Sequence, residues 1–244
     1  ANAIYRFLTE DCHIRKEVTI KSLRIVRSTE FESHVGGAEL NVASGVSLLG
    51  LHTGIISKLP ANAIGELARS KVRSMNVSDD YLVWDHTEDA RLGAYFYESA
   101  TFPRKPQVVY DRKHSSITRI SIDEFPEDMY KSTRCFHVSG ITLALCPEAR
   151  TCAIEMIKRF KEAGALISFD VNFRLNLWTG AEAKACIEQI LPYVDIFFCS
   201  EDTARLTFLK EGSLEDIMRR SAAAVQELGG PVAQKVYQRQ EAAL

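Results

Sequence analysis

An alternation of short apolar runs and helical patterns between residues 134 and 199 gives the clearest indication of the fold: RCFHVSGITLALCPEARTCAIEMIKRFKEAGALISFDVNFRLNLWTGAEAKACIEQILPYVDIFFC. Three of the runs have the length and composition of buried strands: 134–139, 165–170 and 194–199. Helical patterns over 147–163 and 179–191 separate them, with Gly164 as the stop of the first helix and Thr179 as the N-cap of the second. Strands and helices that alternate at this spacing predict parallel strands joined by right-handed crossovers.

The flanking sequence adds elements on both sides of this stretch. Helices are predicted at 38–49, 63–75, 201–209 and 213–228, and strands at 54–59, 91–98 and 107–111. The last two strands are rich in aromatic residues and lie between α/β segments. They predict a small sheet that stands apart from the main one.

Composition argues against several classes of protein. The 244 residues include 30 basic and 32 acidic side chains, whereas a nucleic-acid or membrane-surface binder needs a clear basic excess. No apolar run approaches the roughly 20 residues that span a bilayer, and charges among the first residues exclude a signal-peptide core. The six cysteines form no C-x-x-C pair and fit no zinc site, so we expect reduced thiols in a cytoplasmic protein. Because the chain begins at Ala1 without a methionine, we also expect a fragment or a processed form.

Polar residues follow each of the three strands in the 134–199 stretch. Ligands of an open parallel sheet bind outside the carboxyl ends of its strands. Asp170, Asn172 and Arg174 follow the second strand, and a charged pair flanking an amide there costs too much free energy to serve only as a turn. We interpret these three residues as a ligand-binding group. Ser139 and Ser200, after the first and third strands, fit helix capping as well as ligand binding.

Two glycines precede the first predicted helix. Gly36 and Gly37 allow the backbone to approach a ligand closely, and Asn41 on the first helical turn can donate and accept hydrogen bonds toward a polyol. Alone, a Gly-Gly pair before a helix is more often an ordinary turn. The pattern is neither G-x-G-x-x-G nor a phosphate-binding loop with its lysine, which disfavours a Rossmann oxidoreductase.

The aromatic strands carry a further group of polar rings with an arginine: Tyr95, Tyr97, Tyr110 and Arg112. Tyrosine combines an apolar ring with a hydroxyl, which suits a sugar, and Arg112 can pair with a ligand carboxylate through two hydrogen bonds. The alternative, a small sheet that packs its aromatic residues on the core, stays open for Tyr110 and Arg112.

Taken in order, these motifs resemble the ribokinase-like (PfkB) carbohydrate kinases. The matching segments run from about residue 23 to about 228: VGGAELNVASGVSLLGL, SKLPANAIGELA, GAYFYE, VVYDRKHSSI, FHVSGIT, FDVNFRLNLW and SEDTARL. Within the family, VVYDR and D-x-N-x-R-x-x-LW are particular to the 2-keto-3-deoxygluconate kinases. Each motif alone is weak, but the set is specific.

The resemblance implies a fold, a reaction and roles for individual residues. The fold is a doubly wound, mostly parallel α/β sheet with a small β lid, which often serves as a homodimer contact. The reaction is phosphorylation of a sugar hydroxyl, here that of 2-keto-3-deoxygluconate, with ATP and Mg²⁺ as cofactors. The implied sugar-binding residues are Gly36, Gly37, Asn41, Tyr95, Tyr110, Arg112 and Arg174. Asn172 and Arg174 are the implied nucleotide-binding residues.

The resemblance also divides the chain. It implies one partial domain of this family over residues 1–244, with an α/β core at about 36–90 and 113–228. The lid is expected at about 20–35 and 91–112, and an atypical tail at 229–244.

Several parts of the sequence depart from the family pattern. The Gly-Ala-Gly-Asp motif, whose Asp is the catalytic base of the family, does not occur, so no catalytic residue is assigned. Residues before about Leu23 do not look like the expected first strand, and Ser200 and Thr203 stand where the family has its magnesium-linked Asn-x-x-Glu motif. Two hypotheses remain: a sugar kinase of the ketodeoxygluconate type in truncated form, and a non-catalytic sugar-acid-binding module derived from one. The sequence leaves the identity of the sugar open.

Overall fold

The computed structural model describes residues 4–8, 13–17, 24–29, 31–100, 102–208, 216 and 234–235. The chain divides into two compact units. We call Thr9–Glu124 the N-terminal unit, and Phe125–Leu244 together with Ala1–Leu8 the C-terminal unit. Of the helix predicted at 213–228, only residue 216 is among the described residues.

The strands and helices of the described residues follow one another along both units. In chain order they are β1 (Ile4–Leu8), β2 (His13–Glu17), β3 (Glu32–Gly36), α1 (Ala38–Leu48), β4 (His52–Pro60), α2 (Ala63–Ser74), β5 (Ser78–Asp85), β6 (Ala94–Glu98), β7 (Gln107–Asp111), α3 (Glu127–Lys131), β8 (Thr133–Ser139), α4 (Gly140–Ala144), α5 (Pro147–Glu162), β9 (Leu166–Asp170), α6 (Gly180–Ile190), β10 (Ile196–Phe198), α7 (Glu201–Phe208) and β11 (Gln234–Lys235). None of the helices within these described ranges is long and apolar enough to cross a membrane.

The C-terminal unit contains a sheet with the strand order β11-β10-β9-β8-β1, and each pair of neighbours is parallel. The strands, helices and parallel pairing predicted for 134–199 are therefore confirmed. Thr179 caps α6 as expected, because its hydroxyl accepts from the N–H of Glu182 while the Glu182 carboxylate accepts from the N–H of Thr179. Gly164 follows α5 at φ 89°, a left-handed conformation that favours glycine.

Aromatic rings of three elements form the core of this unit. Phe160 of α5 stacks on Phe136 of β8 with 4.3 Å between ring centroids, and Tyr130 of α3 meets Phe160 edge-on at 4.7 Å. All three side chains are at most 2% exposed. This packing fixes α5 against the sheet and thereby places the carboxyl ends of β8 and β9.

Two predictions for the C-terminal unit need correction. The expectation of no first strand before about Leu23 was wrong, since Ile4–Leu8 forms β1 and pairs in parallel with β8. A five-residue run that includes Arg6 carries too little periodicity to be recognised, and its strand partners lie far along the chain. The strand predicted at 194–199 is shorter in the structure, Ile196–Phe198, although the N–H of Asp195 still donates to the carbonyl of Ile167 in β9 at 2.8 Å.

The N-terminal unit contains the parallel pair β4 and β5 together with α1 and α2. Strand β5 was not predicted, since it opens with Ser-Asp-Asp, a turn-like sequence. Its Asp79 is held by α2: the carboxylate accepts from Arg69 Nε at 2.5 Å and Arg73 Nε at 2.9 Å. Pairing with β4 and these ion pairs outweigh the poor local propensity.

A separate sheet in the same unit has the strand order β3-β2-β6-β7. Strands β2 and β6 are parallel, whereas β2–β3 and β6–β7 are antiparallel. The predicted aromatic strands are present, but β6 begins at Ala94 rather than at Arg91 because the Arg91 carbonyl accepts the N–H of Ser116 at 2.8 Å. Sequence patterns did not predict β2 and β3, which complete this sheet.

Candidate functional site

The glycine pair connects the four-stranded sheet to α1. Gly36 ends β3, and Gly37 at φ 152° serves as the N-cap of α1. Asn41 lies on the first turn, where its N–H donates to the Gly37 carbonyl at 2.9 Å, and its side chain is exposed. A β-carbon built on Gly36 would lie 3.7 Å from the Tyr95 hydroxyl. The glycine therefore leaves open space beside that hydroxyl.

Two tyrosines form a polar aromatic surface on β6 and β7. Tyr95 and Tyr110 are direct cross-strand partners, with ring centroids 5.9 Å apart. Tyr110 is 44% exposed. Rings that pair across strands are held in place by the ladder, so this surface is preformed.

Arg112 follows directly after β7 and lies over this surface. Its guanidinium carbon is 4.4 Å from the centroid of the Tyr110 ring, and the residue is only 8% exposed. Within the described part of the chain, the guanidinium makes neither an ion pair nor a hydrogen bond. A buried charge without a partner costs several kcal/mol, and stacking on one ring offsets only about 1–2 kcal/mol. An anionic ligand is the partner that this geometry favours.

Other arginines of the N-terminal unit show how different Arg112 is. Arg91, Arg104 and Arg119 each pair with a carboxylate, although all are more exposed than Arg112. Arg119 also contacts Asp89 and holds the buried Asp85 at 2.8 Å. Burial alone would raise the pKa of Asp85, but hydrogen bonds from Thr87 and Arg119 lower it to about 2. These three arginines each have a carboxylate partner, whereas Arg112 has none among the described residues.

The carboxyl ends of β8 and β9 carry the second predicted group, in the C-terminal unit. Ser139 and Asp170 are register partners at these ends. A β-carbon on Gly140 would lie 2.2 Å from the Val171 carbonyl oxygen, so only glycine allows the two strand ends to approach this closely. Gly140, which we did not identify as a site residue from the sequence, therefore allows the strand ends that carry Ser139 and Asp170 to lie close together.

Asp170 and Asn172 share a tight turn. The N–H of Asn172 donates to Asp170 Oδ1 at 3.1 Å, and Asn172 has φ 37°, a conformation rare outside glycine. Burial raises the pKa of Asp170, and the Asn172 N–H and the positive charge of Arg174 offset only part of this effect. Arg174 itself is exposed. A strained turn beside a charged group is typical of a ligand-binding segment.

Of the two roles predicted for Ser200, helix capping is the one that its contacts show. Its hydroxyl accepts the N–H of Thr203 at 3.2 Å and lies 2.9 Å from the Thr203 hydroxyl, which caps the start of α7. Among the described residues, no three His, Cys, Asp or Glu side chains form a group that could hold a metal ion.

The structure thus distributes the predicted site residues over both units. Four of those in the N-terminal unit form one group that we call the arginine–tyrosine cluster: Gly36, Tyr95, Tyr110 and Arg112. Gly37 and Asn41 adjoin it through the β3–α1 connection, while Asn172 and Arg174 lie in the C-terminal unit. Sequence reasoning missed Arg91, which bonds to the carbonyls on both sides of Arg112. No local pattern marks it, because its partners lie 20 and 22 residues away.

Comparison with known proteins finds one family along most of the chain. The family model for pfkB family carbohydrate kinases matches residues 11–237. The chain is 34% identical over 189 residues to 2-dehydro-3-deoxygalactonokinase of Haloferax volcanii, covering 78% of this chain and 58% of that protein. It is 30% identical over 169 residues to 2-dehydro-3-deoxygluconokinase of Bacillus subtilis, covering 69% and 52%. The chain spans about half the length of these curated relatives.

The fold is also found among solved structures. The crystal structure of 2-dehydro-3-deoxygluconokinase from Thermotoga maritima superimposes with a TM-score of 0.86 at 29% identity, covering 94% of this chain and 70% of that one. The expected α/β fold of the ribokinase-like kinases is therefore confirmed.

Proposed function

The chain belongs to the pfkB family of carbohydrate kinases, and we propose that its arginine–tyrosine cluster binds a six-carbon sugar acid, 2-keto-3-deoxygluconate, for phosphorylation by ATP. The observation that carries the proposal is Arg112, a residue that is only 8% exposed, whose guanidinium stacks on Tyr110 and has no carboxylate partner in the described residues. A sugar carboxylate supplies the missing charge and can accept two parallel hydrogen bonds from the guanidinium.

The other residues of the cluster suit the rest of such a ligand. The space that Gly36 leaves open lies beside the Tyr95 hydroxyl, which can hydrogen-bond to a sugar hydroxyl. The Tyr110 ring, which is partly exposed, can cover an apolar face of the sugar. Asn41 and Gly37 adjoin the cluster, and we assign both to sugar binding. Positioning of this kind is the main contribution of a protein to phosphoryl transfer.

In the C-terminal unit we assign Arg174 to the sugar acid and, together with Asn172, to the nucleotide. Support comes from the strained turn at Asn172 and from the exposed charge of Arg174 beside the buried Asp170. ATP would supply the phosphoryl group, and Mg²⁺ would neutralise its charge. Magnesium commonly keeps several waters and binds substrate phosphates with one or two carboxylates, so we assign it no residue of this chain.

The configuration of the sugar is the point on which the relatives differ. One relative is a 2-dehydro-3-deoxygalactonokinase and another a 2-dehydro-3-deoxygluconokinase. Both names describe a carboxylate with the same carbon skeleton, so Arg112 serves either. We keep 2-keto-3-deoxygluconate as the proposed substrate and the galacto epimer as the competing one.

Isothermal titration calorimetry of the chain tests the proposal. Three compounds are compared: 2-keto-3-deoxygluconate, its galacto epimer, and the neutral methyl ester of the former. We expect the gluconate to bind most tightly and the ester to bind weakly. Equal affinity for acid and ester would contradict a carboxylate site, and tighter binding of the galacto epimer would reassign the substrate.

A further proposal concerns the oligomeric state of the protein. The family's lid, here at about 20–35 and 91–112, is proposed to mediate a homodimer, because Phe31 and Val109 are 38% and 43% exposed. Light scattering of the chain and of Val109→Glu tests this, and a monomer in both cases would contradict it.

The five described cysteines are free thiols, in keeping with the reducing cytoplasm, where we propose that the protein acts.

A further inference from the structure

The backbone around Arg112 is held by side chains on both sides. Strand β7 ends at Asp111, so the carbonyls of the next residues have no strand partner. Arg91 Nη2 donates to the Asp111 carbonyl and Arg91 Nη1 to the Lys113 carbonyl, both at 3.0 Å. The Ser115 hydroxyl donates to the carbonyl of Arg112 itself at 2.9 Å. Three consecutive carbonyls centred on Arg112 are therefore fixed by two side chains.

Arg91 is in turn anchored at both ends. Its carbonyl accepts the N–H of Ser116 at 2.8 Å, and its guanidinium lies 2.7 Å from the Asp111 carboxylate. Ser115 is 1% exposed, which leaves its hydroxyl little freedom to turn away from Arg112. These contacts connect the end of β7 and the Ser115–Ser116 segment to Arg91.

Stability alone is a poor explanation for this arrangement. Arg91 is 36% exposed and Asp111 58% exposed, and exposed ion pairs typically contribute about 1 kcal/mol or less. An arginine side chain, by contrast, loses much rotamer freedom when it binds a ligand, and holding it beforehand improves affinity. Tyr110 restrains the head of Arg112, and the carbonyl contacts restrain its base.

We propose that Arg91, with Ser115, is a positioning residue that holds the Arg112 guanidinium ready for the carboxylate of the sugar acid. The inference rests on the proposed function, because it requires Arg112 to bind an acid. It assigns Arg91 no contact with the ligand. Its effect should therefore appear only where Arg112 contributes to binding.

Arg104 is the matched control. It lies in the connection between β6 and β7 of the same sheet, is 28% exposed, pairs with Glu98 at 2.8 Å, and donates to the Ser99 carbonyl at 3.2 Å. It has the same kinds of contact as Arg91 but does not touch the residues around Arg112. A purely structural role for surface arginines predicts the same outcome for both.

The test is calorimetry with 2-keto-3-deoxygluconate and its methyl ester on four variants: Arg91→Met, Arg104→Met, Arg112→Met, and Arg91→Met with Arg112→Met. We expect Arg91→Met to raise the Kd of the acid about tenfold and that of the ester less than about twofold. Arg104→Met should change neither. In the Arg112→Met background, Arg91→Met should have no further effect on acid binding, since the two residues act as one unit.

The outcomes separate the two proposals. If Arg112→Met leaves acid binding unchanged, or the chain binds neither compound, the proposed function fails. If Arg112→Met weakens acid binding but Arg91→Met does not, or weakens it equally in both backgrounds, the positioning role is overturned. A ligand-free measurement tests the same role independently: the NMR signal of the Arg112 Nε–H, identified by its loss in Arg112→Met, should broaden in Arg91→Met and not in Arg104→Met. An unchanged signal would overturn the inference.

Discussion

The guanidinium carbon of Arg112 lies 4.4 Å from the centroid of the Tyr110 ring, while no carboxylate within the described ranges pairs with it. Only Asp111 separates the two residues along the chain, and β7 ends at that residue. This relationship leaves a buried guanidinium in the motif VVYDR stacked on a tyrosine ring, which is the basis for proposing that it binds an anion. It is the origin of the first prediction.

Replacement of Arg112 should remove selectivity for the acid. Arg112→Met should weaken binding of 2-keto-3-deoxygluconate about tenfold to a hundredfold, because a hydrogen-bonded charged contact contributes about 1.5–3 kcal/mol. Binding of the methyl ester should change little. Arg112→Lys should recover only part of the loss, since an ammonium cannot form the two-pronged contact. Calorimetry measures all of these, and equal losses for acid and ester would contradict the assignment.

Arg174 should show the same selectivity from the C-terminal unit. Arg174→Met should weaken acid binding more than ester binding, because its charge is exposed and free to reach a ligand. Arg134→Met is the control, since Arg134 is an exposed arginine of the same unit outside the predicted site. Identical binding curves for the two variants would show that Arg174 is an ordinary surface residue.

The paired glycines should respond differently to the same change. Gly37→Ala should lower the free energy of unfolding by about 1–3 kcal/mol, because φ 152° is strained for any residue with a β-carbon. Gly36→Ala should fold normally, yet its methyl group, 3.7 Å from the Tyr95 hydroxyl, should weaken sugar binding about tenfold.

Gly45→Ala provides the reference for both glycine variants. No heavy atom lies within 4 Å of a β-carbon at Gly45, which is in the middle of α1. This change should stabilise the protein by about 0.5–1 kcal/mol and leave binding unchanged. Urea unfolding and calorimetry on the three variants give both quantities. If Gly45→Ala weakens sugar binding as much as Gly36→Ala does, the loss is not caused by a methyl group beside the Tyr95 hydroxyl, and this account is contradicted.

Asp85 should make the protein more stable at neutral than at acid pH. Its pKa is about 2 in the folded chain against an ordinary 3.8, so the folded state binds its proton less tightly than the unfolded state does. The stabilisation is complete above pH 3.8 and is lost as the pH falls from there toward about 2. Its size is about 2 kcal/mol. Urea unfolding at several pH values should show that Asp85→Asn removes this part of the pH dependence.

A control separates Asp85 from the general effect of acid. Asp123→Asn changes an exposed aspartate of the same unit and should leave the pH dependence intact. If both variants flatten the profile equally, the buried network around Asp85 is not its source.

The chain of 244 residues should release ADP slowly or not at all with Mg²⁺ and 2-keto-3-deoxygluconate. It contains no Gly-Ala-Gly-Asp motif, and a general base typically contributes about 10²–10⁴-fold to the rate. A coupled ADP-release assay measures this, and activity should appear when the C-terminal segment of a relative is appended. Robust sugar-dependent ADP release by the chain alone would show that other residues carry the chemistry. Acid binding without turnover in either form would favour the non-catalytic module.

Local sequence patterns were sufficient to predict the longer helices, the strands of 134–199 and the family. Apolar runs, the Thr179 cap and the stop at Gly164 act over a few residues, which is why the alternation in 134–199 could be read directly. The same holds for α1 and α2, and for Gly36, Tyr95, Tyr110 and Arg112 as candidates, because the motifs that contain them are continuous.

Which of these residues lie close together depends on the tertiary fold. Strands β1, β2, β3 and β5 depend on pairing with partners outside their own segments, and short runs such as Ile4–Leu8 carry no signal without that pairing. Likewise, Arg112 pairs with no carboxylate of the described residues, and Arg91 bonds to the carbonyls of Asp111 and Lys113, which lie 20 and 22 residues away along the chain. A local pattern records the preferences of one segment, whereas burial and charge pairing are properties of segments brought together by the fold.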